Sequence, residues 1–147
     1  MTPWRCPIPT PGLEPSDQGD LIVIAMTILG EAEGESSCGK LAVGWTIKNR
    51  TLDPRWPDAP TEVCLQSKQF SCWNADSPRH IVMRMPRGHT FEPVWNECFE
   101  AAFCSEFSID EDITNGANHY HTRSVSPYWA DADKVTAEIG DHVFYKL

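Results

Sequence analysis

The chain has 147 residues, 41% of them hydrophobic and 22% charged, which suits one globular domain with a real core and excludes wholesale disorder. Its net charge of −9 excludes nucleic acid or an anionic membrane as the main partner, since both reward clustered Lys and Arg. The longest apolar run, Leu21 to Leu29, falls far short of the ~20 residues that cross a bilayer.

Residues 1–19 hold five of the twelve prolines and read as an extended arm, leaving residues 20–147 as the folded domain. The opening stretch MTPWRCPIPTPG has neither the charged start nor the apolar centre of a secretory signal, so work outside the cytoplasm would need another route of delivery. A first helix is predicted from near Asp17 or Asp20, either of which can cap it, through Leu29, and its near-continuous apolarity makes it central to the core. Gly30 and Gly34 weaken its continuation, so Glu31 falls in or just past the last turn. A second helix runs from about Cys38 to Arg50, with Leu41, Ala42, Trp45 and Ile47 as its apolar stripe. The prolines of LDPRWPDAP end it. TEVCLQ is then a short helix capped by Thr61, and SKQFSCW is extended or irregular.

Arg79, Arg84 and Arg87 gather around His80 and His89 as a local basic patch. Glu92 to Cys104 is amphipathic, with Pro93 suited to a first helical turn. From Asp112 onward the pattern changes. NHYHT alternates as a strand does, and VTAEI and HVFY flank a two-residue Gly140-Asp141 turn, the mark of a hairpin. The fold class is therefore α+β, a helical lobe followed by a small antiparallel sheet. The six cysteines (Cys6, Cys38, Cys64, Cys72, Cys98 and Cys104) form neither a CxxC pair nor a zinc spacing. They read as small buried hydrophobes, with disulfides as the alternative and Cys64 with Cys72 as the first pair to consider.

GEAEGE, residues 30–35, carries the chemistry. A carboxylic acid serves as a general acid near neutral pH only if its pKa is lifted well above ~4.3. Burial does this, as does the negative end of a helix dipole, and the position of Glu31 offers both. Gly30 and Ala32 leave room for a bulky substrate. Glu33 and Glu35 suit a solvated role, and Glu35 is also placed to bind the backbone at the start of the next helix.

GEAEGE followed in order by GKLAVGWTIKNR, RWP, VC, KQFSCW, NGANHYHT, PYWA and IGDHVFYKL resembles the cell wall hydrolase family typified by the SleB spore cortex-lytic enzymes. The ordered motifs run from about Leu21 to the C-terminus. The resemblance implies a lysozyme-like, transglycosylase-like domain acting on peptidoglycan glycan strands, cleaving between N-acetylmuramic acid and N-acetylglucosamine, generally by lytic transglycosylation. It places the catalytic Glu at Glu31. The family often has Arg where this chain has Glu33, an exchange that would raise the pKa of Glu31 further or alter substrate contacts.

Ordinary glycosidases need two carboxylates some ~5–9.5 Å apart, whereas a lytic transglycosylase needs one, which first donates a proton and then accepts one. Asp110, Asp112, Asp131 and Asp133 are the candidates for a second, but no motif commits them, so the one-carboxylate route is favoured. Gln69, Phe70, Ser71 and Trp73 supply amide, hydroxyl and aromatic surfaces suited to sugars, with a core role as the alternative for Phe70 and Trp73. In NHYH, alternation puts His119 and His121 on one face and Tyr120 on the other, one face lining the cleft near Glu31 and the other packing inward.

Two other readings stand beside this one. His119, His121, His142 and an Asp of ADAD would together make a zinc site for a wall amidase or peptidase, although no HExxH is present. A non-catalytic glycan-binding module is the second. The favoured reading calls for no metal and no cofactor, and for a monomer. It also fits a bacteriophage endolysin, released through a holin onto the wall of a Gram-negative host.

Overall fold

The structure is a computed structural model that describes residues 15–66, 69–77 and 92–147. The proline-rich start up to residue 14, Cys6 and the basic patch around Arg79, Arg84 and Arg87 lie outside the described residues. Helix α1 spans Pro15–Ala32, α2 Ser37–Thr51, α3 Pro60–Leu65 and α4 Glu92–Glu106. Among the described residues between α3 and α4 there is a 3-10 turn at Ser71–Trp73. The sheet follows, with β1 at His119–Thr122, β2 at Val135–Ile139 and β3 at His142–Tyr145.

Three local expectations change. Helix α1 begins at Pro15, inside the segment read as arm, because a proline's fixed φ and missing N–H suit a first helical turn. Helix α3 begins at Pro60 for the same reason, with Ala59 at its N-cap and no side-chain cap. The Thr61 hydroxyl instead donates to Asp20 Oδ1 at 2.5 Å, tying α3 to α1. The start of α2 is capped by Ser36, whose hydroxyl accepts the Gly39 N–H at 3.2 Å, so Glu35 is left for another task.

Helix α1 is the central element, as its apolarity requires, with Ile24, Ala25, Ile28 and Leu29 all buried. It packs on α2, α3 and α4, with Phe70, Trp95 and Cys98 completing the core. Cys64, Cys72 and Cys98 are buried thiols within it, and burial pushes those of Cys64 and Cys98 up to about 12. Helices α2 and α4 approach closely at Gly44, where an added Cβ would press on the Ser105 side chain and sit 3.3 Å from the Ala101 carbonyl oxygen. Gly44→Ala is therefore expected to destabilise the chain by ~1–2 kcal/mol, overpacking outweighing the ~1 kcal/mol gain in helix propensity. Urea unfolding checks this, and an unchanged or raised midpoint would contradict it.

The sheet is antiparallel in the order β1-β3-β2. Tyr120 pairs with Phe144 and Thr122 with His142, so Tyr120 lies on the same face as both. This face meets the helical lobe: Phe144 and Ala42 form a second small core with Ala117, and Tyr120 packs against both clusters. Tyr120 thus sits at the seam between the helices and the sheet.

Candidate active site

Glu31 is the next-to-last residue of α1, half-buried, at the helix end whose free carbonyls carry partial negative charge. Its two carboxylate oxygens are held from different elements. Oε1 accepts the Tyr120 hydroxyl of β1 at 2.7 Å, and Oε2 accepts the Cys72 backbone N–H of the 3-10 turn at 3.3 Å. Burial, with the Glu31 charge beside it, pushes the Tyr120 phenol well above its ordinary value, so it stays protonated and donates. Burial and the same carboxylate push the Cys72 thiol up too.

Behind this pair lies Arg50, a cation only 5% exposed. Its Nε–H donates to the Asn118 carbonyl oxygen at 2.8 Å and its Nη1 to Gln69 Oε1 at 3.3 Å. The guanidinium lies 5.3 Å from the Trp56 ring centroid and 5.2 Å from that of Phe70. Burial lowers its pKa, while the neighbouring Tyr120, Cys64 and Glu31 oppose that shift. Arg50 therefore joins three parts of the site: the strand entering β1, the 69–73 segment and the loop after α2. Sequence reasoning missed it, although the signal was there. Val43, Ile47 and Arg50 share one face of α2 at i, i+4, i+7, and a cation on a buried stripe asks for partners.

The remaining predicted residues divide. Gln69 and Ser71 are exposed, in the segment whose Cys72 N–H holds Glu31. Phe70, expected as a sugar-stacking surface, is 2% exposed and belongs to the core, because Arg50 covers its ring. Trp73 is half-buried, packs on the core and donates its indole N–H to Thr27 Oγ1 at 2.9 Å. Of the two faces of β1, Tyr120's meets Glu31. His119 and His121 lie on the opposite face, around Trp129, with rings 4.9 and 5.8 Å from the Trp129 ring.

His119 Nδ1 pairs with Asn118 Oδ1 at 2.8 Å and His121 Nε2 with the Tyr145 hydroxyl at 2.7 Å, while His142 lies on the Tyr120 face. The zinc set His119, His121 and His142 is thus split across the sheet. Among the described residues no three His, Cys, Asp or Glu side chains gather to hold a metal ion.

Burial, helped by Arg50 and Arg55, holds the His119 imidazole at about 4, against an ordinary 6.5. The unfolded chain takes up this proton first as pH falls, so the stabilisation is complete above pH 6.5 and is lost down to about 4. Buried His142 acts in the same direction. His119→Gln is expected to reduce the fall in the denaturation midpoint between pH 6.5 and 4. A variant profile parallel to wild type would contradict the assignment.

A hollow of about 210 Å³ between α2 and α4 is lined by Cys38, Glu97 and Asp110 rather than by Glu31. The site is therefore identified by its doubly held carboxylate and not by concavity.

Comparison with known proteins agrees with the fold. The catalytic domain of the germination-specific lytic transglycosylase SleB from Bacillus anthracis superposes with a TM-score of 0.70 at 19% identity, covering 95% of this chain and 100% of that one. The catalytic domain of the Bacillus cereus SleB protein gives a TM-score of 0.71 at 20% identity, over 97% and 98%. These likenesses make the helical lobe and three-stranded sheet the lysozyme-like fold of the SleB catalytic domain. No curated protein sequence matches the chain. The cell wall hydrolase family model matches residues 34–145, beginning just after Glu31, and with more than half of its length so matched the chain belongs to the cell wall hydrolase family.

Proposed function

We propose that this cell wall hydrolase degrades peptidoglycan by cleaving the β-1,4 bond between N-acetylmuramic acid and N-acetylglucosamine, with Glu31 as its single acid and base. The observation that carries the reading is the grip of Tyr120 and Cys72 on the two oxygens of one half-buried carboxylate, where the helical lobe meets the sheet. The description of the Bacillus anthracis neighbour as a lytic transglycosylase supports the same chemistry.

In the first step Glu31 gives its proton to the glycosidic oxygen, and the bond from that oxygen to the muramic acid C1 breaks. The resulting carboxylate faces a C1 with oxocarbenium character. It then takes the proton of the muramic acid C6 hydroxyl, whose oxygen bonds to C1 and closes a 1,6-anhydro ring. Glu31 ends protonated, ready for another turnover. Tyr120 and the Cys72 N–H keep the carboxylate in one orientation through both steps, and such pre-set geometry supplies much of an enzyme's advantage.

Three of the four other candidate carboxylates are engaged elsewhere, which supports a one-carboxylate route. Asp112 accepts from Thr114, Gly116 and Asn49, building the loop before β1. Asp131 caps the turn before β2, Asp133 is exposed in that turn, and Asp110 lies by Cys104. Gln69 and Ser71 are the contacts we assign to sugar hydroxyl or acetamido groups. The setting we propose is that of an endolysin on a Gram-negative wall, supported by a charge of −9 that disfavours adhesion to a thick anionic one.

Mass spectrometry of purified peptidoglycan digested by the full chain tests this reading. Muropeptides with 1,6-anhydro ends are the expected product. Reducing ends would mean that water replaces the C6 hydroxyl, and free stem peptides would replace the reading with an amidase.

A further inference from the structure

Glu35, the last glutamate of GEAEGE, leaves its own loop and reaches the far hairpin. Its Oε1 accepts the Asp141 N–H at 2.9 Å and lies 3.7 Å from His142 Nδ1. The backbone of Glu35 is fixed as well: the Lys40 ammonium, buried and paired with Glu97 at 3.2 Å, donates to its carbonyl oxygen. The hairpin is shaped to receive this carboxylate. Gly140 turns with φ of +58°, and a Cβ there would overlap the Glu35 carboxylate. His142 is 2% exposed, and its Nδ1 has no hydrogen-bond partner and faces the Glu35 oxygen. The ring of His142 stands edge-on to Tyr120, with centroids 4.9 Å apart, and Tyr120 holds Glu31. Glu35 and Glu31, four residues apart in one motif, thus grip the two ends of the same sheet face.

We propose that Glu35 is a positioning residue for Glu31: its carboxylate docks the β2–β3 turn onto the loop between α1 and α2, and so sets where the Tyr120 hydroxyl meets the Glu31 carboxylate. The proposal rests on Glu31 being the reacting acid. Glu35 itself touches no reacting atom. It acts through β3, which pairs with β1 along the register that carries Tyr120. Without this contact the hairpin end is free to lift, and a displacement of ~1 Å at Tyr120 is enough to slow a reaction that depends on orientation.

The test uses the full chain on purified peptidoglycan, with Glu35→Ala, Glu35→Gln, Tyr120→Phe and the double variant Glu35→Ala/Tyr120→Phe, each assayed well below its unfolding temperature. Glu35→Ala should lose about tenfold in kcat with KM within about twofold of wild type, because substrate binding is untouched. Glu35→Gln keeps an acceptor for the Asp141 N–H and should recover most of that loss. In the Tyr120→Phe background Glu35→Ala should cost little more, since both act on one contact. Amide exchange at Asp141 should quicken in Glu35→Ala and not in Glu35→Gln, a readout that needs no activity.

A raised KM at unchanged kcat would make Glu35 a substrate contact and overturn the proposal. Strict additivity with Tyr120→Phe would overturn it as well, and so would an unchanged kcat alongside quickened exchange. A wild-type chain that cleaves no glycan would remove the reading of Glu31 and this proposal with it, while quickened exchange would still establish the docking contact by itself.

Discussion

Glu31→Gln is expected to lower the rate of glycan cleavage by about 10³-fold or more while leaving the fold and binding to insoluble peptidoglycan intact. The amide is nearly isosteric: its oxygen can accept the Cys72 N–H while its NH2 donates to the Tyr120 hydroxyl, which can turn to accept, so the side chain's place in the structure survives. What disappears is the proton that can be given to the glycosidic oxygen and then recovered from the C6 hydroxyl. General acid and base catalysis each contribute ~10²–10⁴-fold, and on the proposed route one residue serves both steps. Turbidity clearance of purified walls measures the loss, with pelleting of the variant as the binding control. An amide variant that clears walls at near the wild-type rate would sink the assignment of Glu31. A wild-type chain that binds walls without clearing them would favour a glycan-binding module.

Arg50→Met should destabilise the chain by roughly 3 kcal/mol, on the order of 10 °C in Tm. Methionine preserves most of the aliphatic stem, so the effect reports on the guanidinium rather than on lost packing. Three interactions go with it: the charged hydrogen bond to the Asn118 carbonyl at 2.8 Å, the longer one to Gln69, and the stacking on Trp56 and Phe70. The carbonyl left behind is an unsatisfied buried acceptor, which is the expensive part. Relief of the cost of burying a cation offsets some of this, which keeps the figure below the sum of the lost contacts. Arg50→Lys should fall between, because an ammonium cannot reproduce the planar fork. Differential scanning calorimetry or urea unfolding checks the series. A methionine variant within 0.5 kcal/mol of wild type would show that the network contributes nothing net.

Much of the fold was legible because it rests on local rules. The apolar run from Leu21 to Leu29 behind its candidate caps reads as a central helix, and the Gly140-Asp141 turn between two β-favourable runs reads as a hairpin; both are found. Helix starts were less legible. Asp17 and Thr61 looked like caps, yet Pro15 and Pro60 begin the helices, since a missing N–H costs nothing in the first turn. The alternation of NHYH was readable, but which face turns inward was not. Strand period fixes only that His119 and His121 oppose Tyr120, and the pairing of β1 with β3 decides which side meets the helices.

Residue order therefore determined the element types, the placing of a carboxylate at the end of the greasy helix, and the family to which the chain belongs. Tertiary structure alone decided what holds that carboxylate. Tyr120 lies 89 positions away from Glu31 and Cys72 lies 41 away, and no periodicity links side chains so distant. The same is true of Glu35, which by spacing alone suited a solvated role or the start of α2 and in the folded chain reaches Asp141, 106 positions on. Short-range pattern reflects the backbone's own preferences. Hydrogen bonds between elements depend on how those elements pack, and packing is a property of the whole core.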